Sequence, residues 1–173
     1  ESILDKVMLR KEDQERQSFH PLEVIYSLLQ VLTAKEAEVI RRRFGLTERG
    51  GETLETIGAA YSVTRERIRQ IEQQAIQKMK QSRGFTDAMK PVEHLVITVL
   101  QHYGGVMTKD FLLHVLLQSL EQDPVHRNAV SFIISELMDD KIDAVPISPR
   151  TVPSWKLKFS SMETVDQVIA ELE

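Results

Sequence analysis

Ile3, Leu4, Val7 and Met8 recur at helical spacing and predict a helix over residues 2–16 that frays into the polar stretch Lys11–Ser18. Pro21 suits the first turn of a second helix, where its missing N–H costs nothing. That helix would bury Leu22, Ile25, Leu28, Leu29 and Leu32 on one side. Thr33 with Glu36 three residues on forms a capping box for a third helix. Val39, Ile40 and Phe44 give that helix its apolar stripe, and Gly45 ends it. Residues 47–52 read as a turn. Thr53 then caps a short helix over 54–61, and Thr64 a long one that runs to about Gln81. Gly84 and Pro91 bracket a change of unit. Further helices are predicted near 91–103, 108–120 and 126–139. An alternating hairpin over 142–147 and 154–159 follows, turning through Pro146, Pro149 and Pro153. A last helix is predicted over 161–172.

The pattern divides the chain into an N-terminal helix or linker (1–20), a compact helical unit (21–84) and a second unit (90–173). The fold class is mainly α, with a small α+β part at the end. The first helix has two uses open to it: covering the helical unit that follows, or pairing with a second copy.

Charge sharpens that division. The 173 residues carry a formal net charge of −4. Residues 1–90 hold 16 Lys+Arg against 14 Asp+Glu, whereas residues 91–173 hold 6 against 12. Residues 34–83 alone hold 11 against 7, so the basic charge sits on the helical unit, as a module that neutralises nucleic-acid backbone requires. Cysteine is absent, which removes disulfides and thiolate chemistry from consideration. No run approaches the length of a membrane span, and residues 1–10 lack the form of a signal peptide, so a cytoplasmic location is expected.

Residues 53–72, TLETIGAAYSVTRERIRQIE, carry the chemistry. Ile57, Tyr61, Val63, Ile68 and Ile71 stand where two short helices of a helix-turn-helix would lock together, with Gly58 as the small residue at their crossing. That leaves Arg65, Glu66, Arg69 and Gln70 on the outward face of the second helix. These side-chain types match base edges in a major groove: Arg with guanine, Gln with adenine, Glu with the cytosine amino group. Thr64 and Arg67 lie at the flanks and suit phosphates. Taken singly, such Arg and Glu spacings describe a salt-bridged solvent face. The preceding helix, the turn and the two Thr caps tip the reading towards DNA.

LTAKEAEVIRRRFGL (32–46) together with TLETIGAAYSVTRERIRQIEQQAIQKMKQ (53–81) resembles region four of the housekeeping-type sigma factors of bacterial RNA polymerase. The resemblance implies base contacts to the upstream promoter hexamer by Arg65, Glu66, Arg69 and Gln70. It implies phosphate contacts by Lys35, Arg41, Arg43, Thr53, Arg67 and the backbone N–H groups of Leu54 and Glu55. It also implies that an apolar face here made of Val24, Ile25, Leu28 and Leu29 grips the flap of the polymerase β subunit; plain core packing explains those four equally well. Gln73, Gln74 and Gln77 depart from the family, which tends to carry Lys or Arg at two of the places between 73 and 77. About 20 residues precede the region-four pattern, too few for the family's promoter-melting and core-clamping parts. The chain is accordingly expected to be either the C-terminal part of a larger sigma factor or a stand-alone regulator.

The acidic second unit, with GGVM before its second helix and PSWKLKF as its last strand, resembles the winged-helix domain of the polymerase δ subunit. Its third predicted helix and flanks set His126, Arg127 and Lys141 against Glu136, Asp139, Asp140 and Asp143, which disfavours a phosphate backbone. Lys156 and Lys158 on the wing are the counterweight. A protein partner fits better, which leaves an adaptor that docks on polymerase as the alternative to a promoter reader. Trp155 reads as a core plug rather than an exposed anchor.

Enzymatic readings find no support. His20, His94, His102, His114 and His126 show no metal-ligand spacing, and no nucleophile–base set can be named. Neither metal nor cofactor is expected.

Overall fold

The computed structural model describes residues 2–145, 147–149 and 151–158. The helix expected over 161–172 lies outside them. The elements run α1 (Ile3–Gln17), α2 (Pro21–Leu29), α3 (Ala34–Arg43), α4 (Leu54–Ala60), α5 (Arg65–Gln81), α6 (Phe85–His102), β1 (Val106–Thr108), α7 (Lys109–Leu117), α8 (Pro124–Phe132), β2 (Ile142–Val145) and β3 (Ser154–Leu157). A 3₁₀ turn over Gln118–Leu120 extends α7, and a π turn over Ile133–Leu137 extends α8.

Local chemistry sets the ends of α2 to α5 as the caps require. Pro21 opens α2. The Thr33 hydroxyl accepts from the Glu36 N–H while the Glu36 carboxylate accepts from the Thr33 N–H, closing the capping box. Thr53 accepts from Thr56 N–H and Thr64 from Arg67 N–H. Each such cap contributes about 1 kcal/mol. Gly45 stops α3 with φ +66, a conformation side chains rarely adopt.

The helix-turn-helix rests on Val39, Ile57, Ile68 and Ile71, all buried, with Leu54, Tyr61 and Val63 packed around them. Its tightest point is Gly58. A Cβ there would lie 2.7 Å from the Val63 carbonyl oxygen and 3.3 Å from the Thr64 carbonyl carbon.

Two features differ from the sequence expectations. First, α6 does not begin after a break at 84–91 but runs unbroken from Phe85 through Pro91. Pro91 has no N–H for the carbonyl four residues back, a defect of about 3 kcal/mol in an isolated helix. Met89, Val92, Leu95, Val96, Val99 and Leu100 offset it by burying one continuous stripe. Second, the sheet has three antiparallel strands in the order β1-β3-β2, because Val106–Thr108 joins the expected hairpin. Helix, strand, two helices and a two-stranded wing form the winged-helix arrangement, with Trp155 buried beneath the wing as its core plug. Of the two uses open to the first helix, covering the core is not the one seen: Ile3, Leu4, Val7 and Met8 are exposed on α1, Ile3 to 83%.

The two units share one core. Ile25, Leu28 and Leu29 of α2, Ile40 of α3 and Ala75, Ile76 and Met79 of α5 form a single buried cluster with α6, α7 and α8. Phe44 packs on Phe132 with ring centroids 4.6 Å apart, a pair worth about 0.5–1.5 kcal/mol beyond area burial. The Asn128 amide donates to the Gly45 carbonyl at 3.1 Å. Lys80 pairs with Asp139. Close to that pair, burial raises the pKa of the Glu136 carboxyl, and the charges of Glu72 and Asp139 push it the same way.

Gly58→Ala should destabilise the chain by about 1–3 kcal/mol, because the obstruction is backbone that cannot swing aside. Gly84→Ala, where a Cβ meets nothing within 4 Å, should change stability by no more than about 0.5 kcal/mol. Urea denaturation of the two variants separates these outcomes. Glu136 supplies a pH test. Its folded-state carboxyl holds its proton to higher pH than in the unfolded chain, so stability falls as pH rises from the unfolded pKa through the folded one. Glu136→Gln should therefore raise the melting temperature at pH 7–8. The gain should shrink as pH falls through about 4 and vanish below it, where the wild-type carboxyl is protonated in both states. Melting curves at the two pH values read the difference.

Candidate nucleic-acid interface

Thr64 sets the first turn of α5, and the buried Ile68 and Ile71 fix which side of that helix faces inward. The remaining positions of the first two turns face solvent. Arg65, Glu66 and Gln70 are exposed and Arg69 is half-exposed, so the four predicted base-reading side chains share one outward face. Each is held by a neighbour. Arg65 Nη1 donates to Glu55 Oε1 at 2.9 Å, linking α5 to the start of α4. Arg69 binds Glu66 through two donors, the Nε–Oε2 contact being 2.8 Å. Arg67 Nη1 donates to Gln70 Oε1 at 3.3 Å.

These pairs appear in the ionisation of the face. Hydrogen bonds from Arg69 hold the Glu66 carboxyl below the ordinary carboxylate range, and Glu66 in turn raises the Arg69 guanidinium. Glu55 is lowered first by its own backbone N–H and then by Arg65. Both acids are therefore charged at neutral pH, and each neutralises the arginine beside it. Exposed pairs of this kind contribute at most about 1 kcal/mol and exchange readily for other partners.

The predicted phosphate-contacting residues separate into two groups. Thr53, Leu54 and Glu55 stand together at the start of α4, where the first N–H groups have no helical acceptor and that of Glu55 meets its own carboxylate. Thr64 and Arg67 occupy the start of α5. Lys35, at the start of α3, is exposed, with its ammonium 5.1 Å from the Tyr61 ring centre, so it stands beside the end of α4. Arg41 and Arg43 are less available. Arg41 is half-buried beside Glu38, 3.9 Å away. Arg43 points between elements, donating to the Glu52 carbonyl at 3.1 Å and lying 3.4 Å from the Glu72 carboxylate. Burial raises Glu72, and Arg43 partly offsets that shift. Arg43 is thus a brace between α3 and α5.

The apolar set of α2 lies elsewhere than an open docking face. Ile25, Leu28 and Leu29 are fully or almost fully buried in the core shared with α6 and α8, and Val24 is half-buried. Core packing accounts for them.

Two supports of the site escaped the sequence reading. Arg42 forks onto Glu52 with both bonds at 2.7 Å, closing the loop between α3 and α4 and holding the Thr53 cap in place. Lys78 pairs with Glu36, tying the far part of α5 to the α3 capping box. The run Arg41-Arg42-Arg43 does signal cations in sequence, but not which of them folds inward. Among the described residues no His, Asp or Glu group could hold a metal ion, and no helix is long and apolar enough to cross a membrane.

Comparison with known proteins falls on this same stretch. Residues 28–81 match the family model for sigma-70, region 4. The RNA polymerase sigma factor RpoD of Neisseria gonorrhoeae is 48% identical over 58 residues, which cover 34% of this chain and 9% of that protein. The RNA polymerase sigma factor SigA of Clostridium acetobutylicum is 47% identical over 58 residues, covering 34% of this chain and 15% of that protein. The match thus takes in only a small part of either relative. With the capped helix pair, its glycine crossing and its Arg/Glu/Gln face, residues 28–81 are a sigma-70 region 4 domain.

Proposed function

We propose that this chain binds promoter DNA in bacterial transcription initiation, with α5 in the major groove of an upstream, −35-type element. The observation that carries this reading is the placement of Arg65, Glu66, Arg69 and Gln70 together on the solvent face of a Thr64-capped helix. Arg69 and Arg65 offer paired donors suited to guanine, Gln70 an amide suited to adenine, and Glu66 an acceptor suited to cytosine. Thr53, Leu54 and Glu55 would seat one phosphate at the N-terminus of α4, while Thr64, Arg67 and Lys35 hold the backbone on either side. The arginines meet the duplex already oriented by Glu55 and Glu66, so binding exchanges one set of charge-assisted hydrogen bonds for another. RNA polymerase is the proposed protein partner, and no catalytic step is assigned to the chain.

The α2 face supports no flap contact in this arrangement, because α6 and α8 cover Ile25, Leu28 and Leu29. Polymerase docking through that face would require the winged-helix unit to lift away.

Selection of bound sequences from a random duplex pool by the full chain, at two salt concentrations, tests the reading. Enrichment of one hexamer, weakening as salt rises, is the expected result. Arg69→Ala should then cost about 1–3 kcal/mol on the selected site and relax preference at one base pair. Arg67→Ala should instead weaken all sequences alike and flatten the salt dependence by about one phosphate. Unchanged affinity and preference in Arg69→Ala would refute direct readout.

A further inference from the structure

At the end of α6 distant from the helix-turn-helix, four rings stand in line on the surface. His102 and Tyr103 meet edge to face at 5.0 Å, Tyr103 and Phe111 at 5.1 Å, and Phe111 stacks on His114 at 6.4 Å. Tyr103 is 45% exposed, Phe111 43%, and Val106, on the edge strand between them in sequence, 51%. The neighbours Met107, Leu112 and Leu113 are buried, so the core of the unit is complete without this strip. Apolar rings held in mutual contact but left in water form the kind of patch that marks an interaction site.

Its surroundings favour one kind of occupant. Asp110, beside Phe111, carries a carboxylate that is 91% exposed although it pairs with Arg127. Glu121 lies against His114 at 2.7 Å and within 3.9 Å of Arg127. The local cations are thus engaged, Arg127 by these two acids and Lys109 over the Trp155 ring at 4.9 Å. Among the described residues the cation–aromatic contacts fall on Tyr61 and Trp155, and the faces of Tyr103 and Phe111 take none. Electron-rich ring faces next to the exposed Asp110 carboxylate attract a cation that also brings apolar surface. Single-stranded nucleic acid would use the rings for stacking, but it needs a basic groove for its backbone, and the cations beside this strip, Arg127 and Lys109, are already engaged.

We infer that the strip Tyr103–Val106–Phe111, flanked by His102, His114 and Asp110, is a docking surface for a basic, partly apolar segment of a partner protein, with Arg or Lys side chains seated on the rings. The 18 residues of α6 place it about 27 Å along that helix from its junction with α5. A partner held there leaves the outward face of α5 open, and the surface stands whether or not that face reads promoter DNA.

The test uses the full chain, labelled for NMR, and three probes: a 12-residue peptide alternating Arg and Leu, the same design with Glu for Arg, and a 12-nucleotide oligo-dT. The Arg-Leu peptide should bind saturably, shifting the ring signals of Tyr103 and Phe111, while the Glu-Leu peptide and oligo-dT leave them in place. Tyr103→Ala/Phe111→Ala should weaken the Arg-Leu peptide at least about tenfold, and Asp110→Asn should weaken it several-fold. Both are surface changes, and an unaltered melting temperature shows that the fold is intact. Four results overturn the inference: Arg-Leu binding that ignores both variants, ring shifts caused by the Glu-Leu peptide, ring shifts caused by oligo-dT, or ring shifts that follow protein concentration alone. The last two would assign the strip to nucleic acid or to a second copy of the chain.

Discussion

The close approach of α4 to the turn before α5 is the constraint on which the DNA-facing geometry depends. With only hydrogen at Gly58, the Val63 carbonyl comes within 2.7 Å of where a Cβ would sit, and the Val63 N–H donates to the Gly58 carbonyl at 2.9 Å. That contact fixes the turn at Ser62, whose φ of +55 is strained for a side chain but closes the angle between the helices. Once the angle is set, Ile57, Ile68 and Ile71 can meet Val39, and the α5 rotation that buries them also points Arg65, Glu66, Arg69 and Gln70 outward. The four readers are the other side of the core pattern, placed by the same rotation.

Sequence was informative where local chemistry alone decides structure. The three Thr caps, the Glu36 box, Gly45 and the Ile/Val periodicity act over a few residues, and each appears where the chain implies it. Where partners are distant, the chain is silent. Nothing near Pro91 announces that α6 passes through it, because the stripe that stabilises it is completed by residues of α2, α7 and β3. Nothing in the α2 pattern separates an open apolar face from a buried one, since periodicity records only that a side is apolar. The α8 helix that covers it lies about a hundred positions away. Arg43 shows the same limit for charge: beside Arg41 and Arg42 it reads as a phosphate ligand, yet Glu72, 29 residues on, claims it.

The winged-helix unit is not an appendage on a linker. It shares the core of the region 4 domain through Phe132 on Phe44, and Asn128 spans the last gap to the Gly45 carbonyl. Gly45 is needed twice there, for its positive φ and because a Cβ would fall 2.6 Å from the Asn128 amide nitrogen. The interface rests on a glycine and on an aromatic pair in which Phe132 is buried and Phe44 half-buried. Asp139 of the second unit, paired with Lys80, stands against α5.

That contact helps to grade α5 along its length. Its first two turns hold the four readers, whose charges are paired only with exposed neighbours and remain exchangeable. Beyond them, Gln73, Gln74 and Gln77 are exposed but neutral, and the next cations turn to internal acids: Lys78 to Glu36 and Lys80 to Asp139. A groove-bound helix would find positive charge only near its capped end, where the helix dipole is also positive. Burial raises the carboxyls of Glu72 and Glu136 farther along the helix, where a phosphate would meet repulsion once they are charged. Charge along α5 therefore favours entry by the N-terminal tip, with the rest of the helix holding the two units together.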